Sequence, residues 1–241
     1  MLHKIRGIVI KTTDYSESSV VAQIFTDKFG LQSYLVNGVK KTKSKIKSNM
    51  LQPLHLLEMV VYHKPNGNLQ RISELRNQPV LQSIPYDMIK SSLALFINEV
   101  LYKSLKHHYE DEPLFNYIYN AVELLDKTEE GLANFHLFFL LRLTKYLGFY
   151  PDRTLERGAK FFDLKEGKYA RDQPLHQFII EESLIEDFCS LISCTFENLC
   201  FLSIKSQNRK VLLSKLLDYY ALHIESFGDV KSHLILEEVL S

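Results

Sequence analysis

Several things are scarce or missing in this sequence. Its three cysteines, Cys189, Cys194 and Cys200, are too few and too close together for a disulfide framework, so a reducing compartment is expected. No apolar run reaches the ~20 residues a membrane-spanning helix needs. The opening residues Met1, Leu2, His3, Lys4, Ile5 and Arg6 put charges where a secretory leader needs its apolar core. A cytoplasmic protein with no membrane partner is expected. The motifs of nucleotide and acyl chemistry are missing too. Gly38-Val39-Lys40-Lys41-Thr42 resembles a phosphate loop only superficially, because Gly38 has no second glycine five positions away followed by Lys-Ser/Thr. There is no GxSxG elbow and no GxGxxG fingerprint.

Metal and acid–base constellations are equally thin. The cysteines are separated by four and five residues, without the two-residue knuckle that brings two thiolates onto one zinc ion, and they read as small buried side chains. His107 and His108 are neighbours, and adjacent helical positions point in different directions. His136 and His223 have no acidic or nucleophilic partner recognisable from sequence, so they read as hydrogen-bonded core histidines. The composition predicts a non-enzyme without cofactor.

Acid is missing in one place where base is abundant. Between Asp27 and Glu58 the only charged side chains are six lysines, and five of them, Lys40, Lys41, Lys43, Lys45 and Lys47, fall within eight positions. Such a run repels itself, so a solvated, mobile loop seeking a polyphosphate is expected. A solvated loop with no ligand is the alternative. The chain as a whole is neutral, with 29 basic and 29 acidic side chains, but residues 1–80 hold twelve basic against five acidic and are net positive by about seven. This asymmetry suggests a nucleic-acid-facing N-terminal module and a C-terminal module that meets proteins.

Residues 5–10, 20–25, 31–36, 54–62 and 69–72 are short runs rich in Val, Ile and Tyr, separated by turn signals of which Asn66-Gly67 is the strongest. Five strands in so short a stretch predict a closed barrel of the oligonucleotide-binding (OB) type over residues 1–80, with the lysine run joining the third and fourth strands. Phe25, Phe29, Tyr34 and Tyr62 are candidates either for base stacking or for the barrel core.

After Pro79 and Pro85 the period changes to that of helices, and a mainly α-helical domain is predicted over residues 81–241. Helices are expected from about Tyr86 to Lys106, from Pro113 to Leu125, and from Leu132 to a stop at Gly148; the third is apolar almost all round and is expected to be central. A small β-hairpin turning at Gly167 is expected within residues 151–175. Helical pieces are predicted over 179–192 and 196–204, then a long helix carrying Leu213, Leu216, Leu217, Tyr220, Ile224 and Phe227, and a short tail over 234–240. The fold class is α+β.

Four stretches carry a family resemblance: the run from Gly7 to Ser18, then Phe25 to Leu31, then Gly38-Val39-Lys40-Lys41, then Leu51-Gln52-Pro53-Leu54. In order and spacing they resemble the N-terminal signature of the RecO recombination mediators. Leu147-Gly148-Phe149-Tyr150-Pro151 and Lys231-Ser232 extend the resemblance along the chain. It implies a barrel followed by a helical domain and a non-enzymatic role in recombinational DNA repair. Such a protein binds single- and double-stranded DNA without regard to sequence, anneals complementary strands, and with RecR helps load recombinase on DNA coated by single-strand-binding protein (SSB). A cytoplasmic, nucleoid-associated location follows.

On this reading the loop lysines Lys40, Lys41, Lys43, Lys45 and Lys47, helped by Lys11 and Arg6, neutralise phosphates. The resemblance also implies that the helical domain contacts the acidic SSB tail, for which Arg142 and Lys145 are the candidate cations. Many family members carry a four-cysteine zinc site after the Leu-Gly-x-x-Pro element. Residues 152–175 here contain no cysteine, so no zinc is expected and the hairpin should be held by packing around Phe161, Phe162 and Tyr169. Lys231-Ser232-His233 stands where the family often has Lys-Ser-Arg. A competing reading remains, an OB-fold scaffold that binds protein and uses its lysines only for solubility.

Overall fold

The computed structural model describes residues 1–41, 44–65, 67–106, 110–154 and 158–240. The chain divides into two compact units, Met1–Lys127 and Thr128–Ser241.

The first unit is built on a closed barrel of five strands, β1 (Leu2–Asp14), β2 (Val20–Thr26), β3 (Gly30–Val36), β4 (Leu56–Tyr62) and β5 (Gln70–Asn77), in the order β1-β2-β3-β5-β4. All neighbours are antiparallel except β3 and β5, which close the barrel in parallel through Tyr34 opposite Gln70 and Leu35 opposite Arg71. Ile5 and Val9 of β1 enter the core beside Val20, Ile24, Tyr34, Leu57 and Met59. Gly7 lies between them, where a Cβ would sit 2.6 Å from Ile24 Cγ2 and 2.7 Å from Met59 Cε, so a larger residue would have to displace both side chains. Ile8 and Ile10 are buried as well, so this stretch is apolar on both faces. A bulge between Val9 and Lys11 then shifts the register against β2.

Two helices complete this unit, α1 (Met88–Ser104) and α2 (Glu112–Lys127). The Asp87 side chain caps α1 by accepting from Lys90 N, and Asp111 accepts from Leu114 N beside the first turn of α2. Both helices are pinned to β1: Asn98 donates to Ile10 O at 3.0 Å, and Arg6 donates to Asn116 Oδ1 at 3.0 Å.

The second unit is organised around α3 (Leu132–Leu147), buried on most sides as its sequence predicts. Gly148 ends it in the left-handed conformation, φ 88°, where Phe149 N donates to Thr144 O at 3.0 Å. Against α3 pack α4 (Glu182–Ser193) and α5 (Ser206–His223), and a short α6 (His233–Val239) follows. Strands β6 (Phe161–Asp163) and β7 (Lys168–Ala170) form the expected hairpin. Asp163 organises its turn by accepting from Lys165 N and Glu166 N, and Gly167 supplies the positive φ of 67°.

The sequence reading needs several local corrections. Strands β1 and β5 are longer than their apolar runs, because Lys4, Lys11, Glu74 and Arg76 occupy outward positions of continuing ladders. Ile179 and Ile180 belong to a strand, β8 (Ile179–Ile180), paired with Phe162 and Asp163 rather than to the start of a helix. Over 196–204 the only regular element is a 3-10 turn at Leu199–Phe201. Tyr86, expected at the start of the first helix, lies before α1, which begins at Met88, and is 86 % exposed.

Candidate nucleic-acid interface

The lysine loop leaves β3 at Val36 and re-enters the barrel at Leu56. It is not the wholly solvated strand that self-repulsion alone would produce. Val39 and Leu51 are buried in the barrel core and Ile46 packs against it, so apolar side chains anchor the loop at its start, middle and end. Backbone bonds add to this: Lys41 N donates to Gly38 O at 2.9 Å, Ser44 N to Lys41 O at 3.1 Å, and Met50 N to Lys47 O at 3.0 Å, where a 3-10 turn (Ser48–Leu51) begins. The anchors face inward while Lys40, Lys41, Lys45 and Lys47 are exposed. Lys43 lies outside the described residues. A structured loop presenting ammonium groups spends less ordering entropy on an anion than a free coil does.

Lys40 has an acid beside it that local sequence does not reveal. Its ammonium lies 2.9 Å from Asp14 Oδ1 at the end of β1. Lys11, on the same strand, donates to the Tyr102 hydroxyl of α1 at 3.1 Å with its ammonium 4.5 Å from the ring centroid. The hydrogen bond from Lys11 holds the Tyr102 phenol below its ordinary value, and the charges of Lys11, Lys106 and Lys103 act in the same direction.

Arg6 is placed differently. Its Nε pairs with Asp27 at 3.3 Å, its Nη2 reaches Asn116, and its guanidinium carbon lies 5.0 Å from the Phe115 ring centroid and 5.2 Å from that of Tyr119. These contacts bind β1 to α2, at the barrel's helix-facing side rather than at the lysine loop.

Two of the aromatics are unavailable to bases. Phe25 and Tyr34 are fully buried, Phe25 near Phe115 and Tyr34 within the barrel core, where burial first and then the Asp27 carboxylate raise the Tyr34 phenol. Phe29 stacks on His63 at 3.8 Å, while Tyr62 is half exposed.

In the second unit Arg142 and Lys145 share α3 but not a role. Arg142 donates to the Cys194 carbonyl and to the Tyr150 hydroxyl, and covers the Phe138 ring; Lys145 is exposed. The hairpin after Pro151 is held by rings: Phe162 meets Tyr169 at 5.1 Å and Phe188 at 4.7 Å, while Phe161 is only half buried. The donor set there does not fit a zinc ion. Cys189 Sγ lies 3.1 Å from the Tyr169 hydroxyl, Cys194 is buried and donates to Thr195 O, and Cys200 is exposed. Among the described residues no three of His, Cys, Asp and Glu come together to hold a metal. Among them, too, no helix is long and apolar enough to cross a membrane. His107 and His108 lie outside the described residues.

Sequence reasoning missed Asp14 as the partner of Lys40, and Tyr102 as that of Lys11. Neither contact leaves a local signal, since Lys11 and Tyr102 are 91 residues apart.

Comparison with known proteins matches this two-part chain twice, to "Recombination protein O N terminal" over residues 1–77 and to "Recombination protein O C terminal" over residues 85–232. Proteins named DNA repair protein RecO resemble it along their whole length. The one from Azobacteroides pseudotrichonymphae is 33% identical over 99% of both chains, that from Phocaeicola vulgatus 33% over 100% of both, and that from Flavobacterium psychrophilum 36% over 99% of both. With both halves matched and identity sustained from end to end, the chain belongs to the recombination protein O (RecO) family.

Proposed function

We propose that this protein is a non-enzymatic DNA-binding mediator of recombinational repair, cytoplasmic and nucleoid-associated. The observation that carries the reading is the anchored loop on a closed barrel, with Lys40, Lys41, Lys45 and Lys47 exposed and apolar residues fixing its backbone. Ammonium groups so displayed neutralise phosphates without reading bases, which suits single- and double-stranded DNA alike. Family membership and the names of the relatives support DNA as the polyanion.

Annealing follows if one basic surface holds two strands close enough to pair, since screening their charge lowers the barrier to approach. With RecR, the protein helps load recombinase on DNA coated by SSB. The acidic SSB tail meets the second unit, where Lys145 supplies the exposed charge and Arg142 keeps the neighbouring Tyr150 and Cys194 in place. No metal takes part, and packing of Phe162, Tyr169 and Phe188 maintains the hairpin.

The test replaces Lys40, Lys41, Lys43, Lys45 and Lys47 with Ala and measures binding to labelled strands of several sequences across a salt series. Binding should weaken on every sequence, and the log–log salt slope should fall by up to ~0.9 for every phosphate of duplex DNA that is no longer neutralised. An unchanged slope removes the loop as the DNA site. Annealing of SSB-coated complementary strands, with and without the SSB tail, tests the mediator role.

A further inference from the structure

Where α1 ends against β1, basic side chains from two distant parts of the chain gather round one aromatic ring. Lys11 caps the Tyr102 hydroxyl and lies over its ring. Lys103 and Lys106 flank Tyr102 on the last turn of α1 and just beyond it, close enough for their charges to act on the phenol. Lys103 also pairs with Glu99, 3.9 Å away one turn back on the same helix. The junction is held in register, because one turn before Tyr102 the Asn98 amide donates to the carbonyl of Ile10, the residue before Lys11.

The same stretch of β1 touches the lysine loop. Thr12 Oγ1 donates to Leu51 O at 2.8 Å, at the end of the turn that starts from Lys47, and Asp14 holds Lys40. Lys11 is therefore a midpoint with basic groups on both sides. We propose that Lys11, Lys103 and Lys106, gathered round Tyr102, form a second phosphate-binding patch that carries DNA from the lysine loop onto the first helix. This rests on the DNA-binding reading above and assigns it a path.

A helix end explains part of the pattern without any ligand, since cations in a last turn interact favourably with its free carbonyls. It does not explain Lys11, which arrives from another element and bonds to Tyr102 across the junction. A ligand carrying several charges along its length, such as a phosphate backbone, can engage ammonium groups from both elements at once. A nucleic-acid backbone fits this better than an acidic peptide, because β1 ties the patch to the lysine loop through Thr12 and Leu51.

The experiment compares the full-length protein with Lys103→Gln/Lys106→Gln, with Lys103→Arg/Lys106→Arg, and with a loop variant in which Lys41, Lys45 and Lys47 are Ala. A labelled oligothymidylate strand is titrated across a salt series, and thermal melting of each protein is recorded. The Gln pair should flatten the salt slope by about 0.7 for each phosphate of a single strand left without its lysine, about 1.4 for both, with melting unchanged and the Arg pair restoring the slope. A wild type that binds with a loop-dependent slope, while the Gln pair binds identically, overturns the patch and leaves the DNA reading standing. A wild type without salt-sensitive binding overturns both. Unaltered DNA binding by the Gln pair, together with abolished binding to a polyglutamate peptide, overturns the patch as a DNA site and assigns it to an acidic protein.

Discussion

The ammonium of Lys90, on a side chain that is fully buried in α1, donates to the backbone carbonyl of Asp126 at 3.1 Å, and to Ser83 Oγ at 2.6 Å. The Asp126 carboxylate in turn accepts from the backbone N–H groups of Gln82, Ser83 and Ile84 at 2.8, 2.9 and 2.8 Å. Burial alone would raise this carboxyl. The bonds from Gln82, Ile84 and Ser83, with the Lys90 charge, hold it below the ordinary carboxylate range instead. One acid at the end of α2 thus fixes the segment that leads from the barrel into α1.

Replacing Asp126 with Ala strands three N–H groups and removes the carboxylate whose charge interacts with buried Lys90. The expected loss is about 3 kcal/mol or more, read as a lower denaturation midpoint with unchanged m-value. Lys90→Met gives up the bonds to Ser83 and to the Asp126 carbonyl but leaves no buried cation, so it should cost less, about 1–2 kcal/mol. If the two losses prove equal, the buried charge that remains at Lys90 is not the dominant effect.

Arg6→Ala separates a structural arginine from a phosphate ligand. The variant gives up the Asp27 pair, the Asn116 bond and its stacking on the Phe115 and Tyr119 rings. A destabilisation of about 2 kcal/mol is expected, with no change in the salt slope of DNA binding. A flatter slope would return Arg6 to the interface.

What the sequence disclosed follows from the range of the forces involved. The five strands and α3 were legible because alternation and the 3.6-residue period are written locally, and the density of lysines in the loop is local as well. Charged outward positions such as Glu74 and Arg76 hid the second half of β5, since a barrel strand needs only its inner face apolar. Ile179 and Ile180 looked helical because the Asp163 and Phe162 that pair with them lie well upstream in the sequence. The candidate site behaves the same way: its lysines are visible, whereas Asp14 beside Lys40 and Tyr102 beside Lys11 emerge only once the chain has folded.

That hidden acid yields a gain-of-binding prediction. Asp14 is well exposed and holds the Lys40 ammonium at 2.9 Å, so a phosphate arriving there competes with a carboxylate. Asp14→Asn keeps the size of the side chain and removes the competitor. Single-stranded DNA should bind more tightly at low salt, with a slope steeper by up to ~0.7, and the advantage should shrink as salt screens both interactions. Weaker binding by this variant would mean that Asp14 positions Lys40 for phosphate rather than diverting it.

His136 should add to the protein's acid sensitivity. Deep in α3, its imidazole is lowered from 6.5 to about 3, by burial first and then by the Arg209 charge. Since the folded value lies below the unfolded one, the unfolded chain takes up the proton first on acidification. Stability is therefore full above pH 6.5 and declines as the pH drops from 6.5 towards about 3, by up to about 1.4 kcal/mol per pH unit. His136→Gln has no such proton to bind, whatever it costs at neutral pH. Urea denaturation at pH 7 and pH 5 should show the wild type losing more stability between the two than the variant does. His55 and His63, both lowered chiefly by burial, titrate in both proteins and cancel in the comparison. Equal losses in the two proteins would place the acid sensitivity elsewhere than in the α3 core.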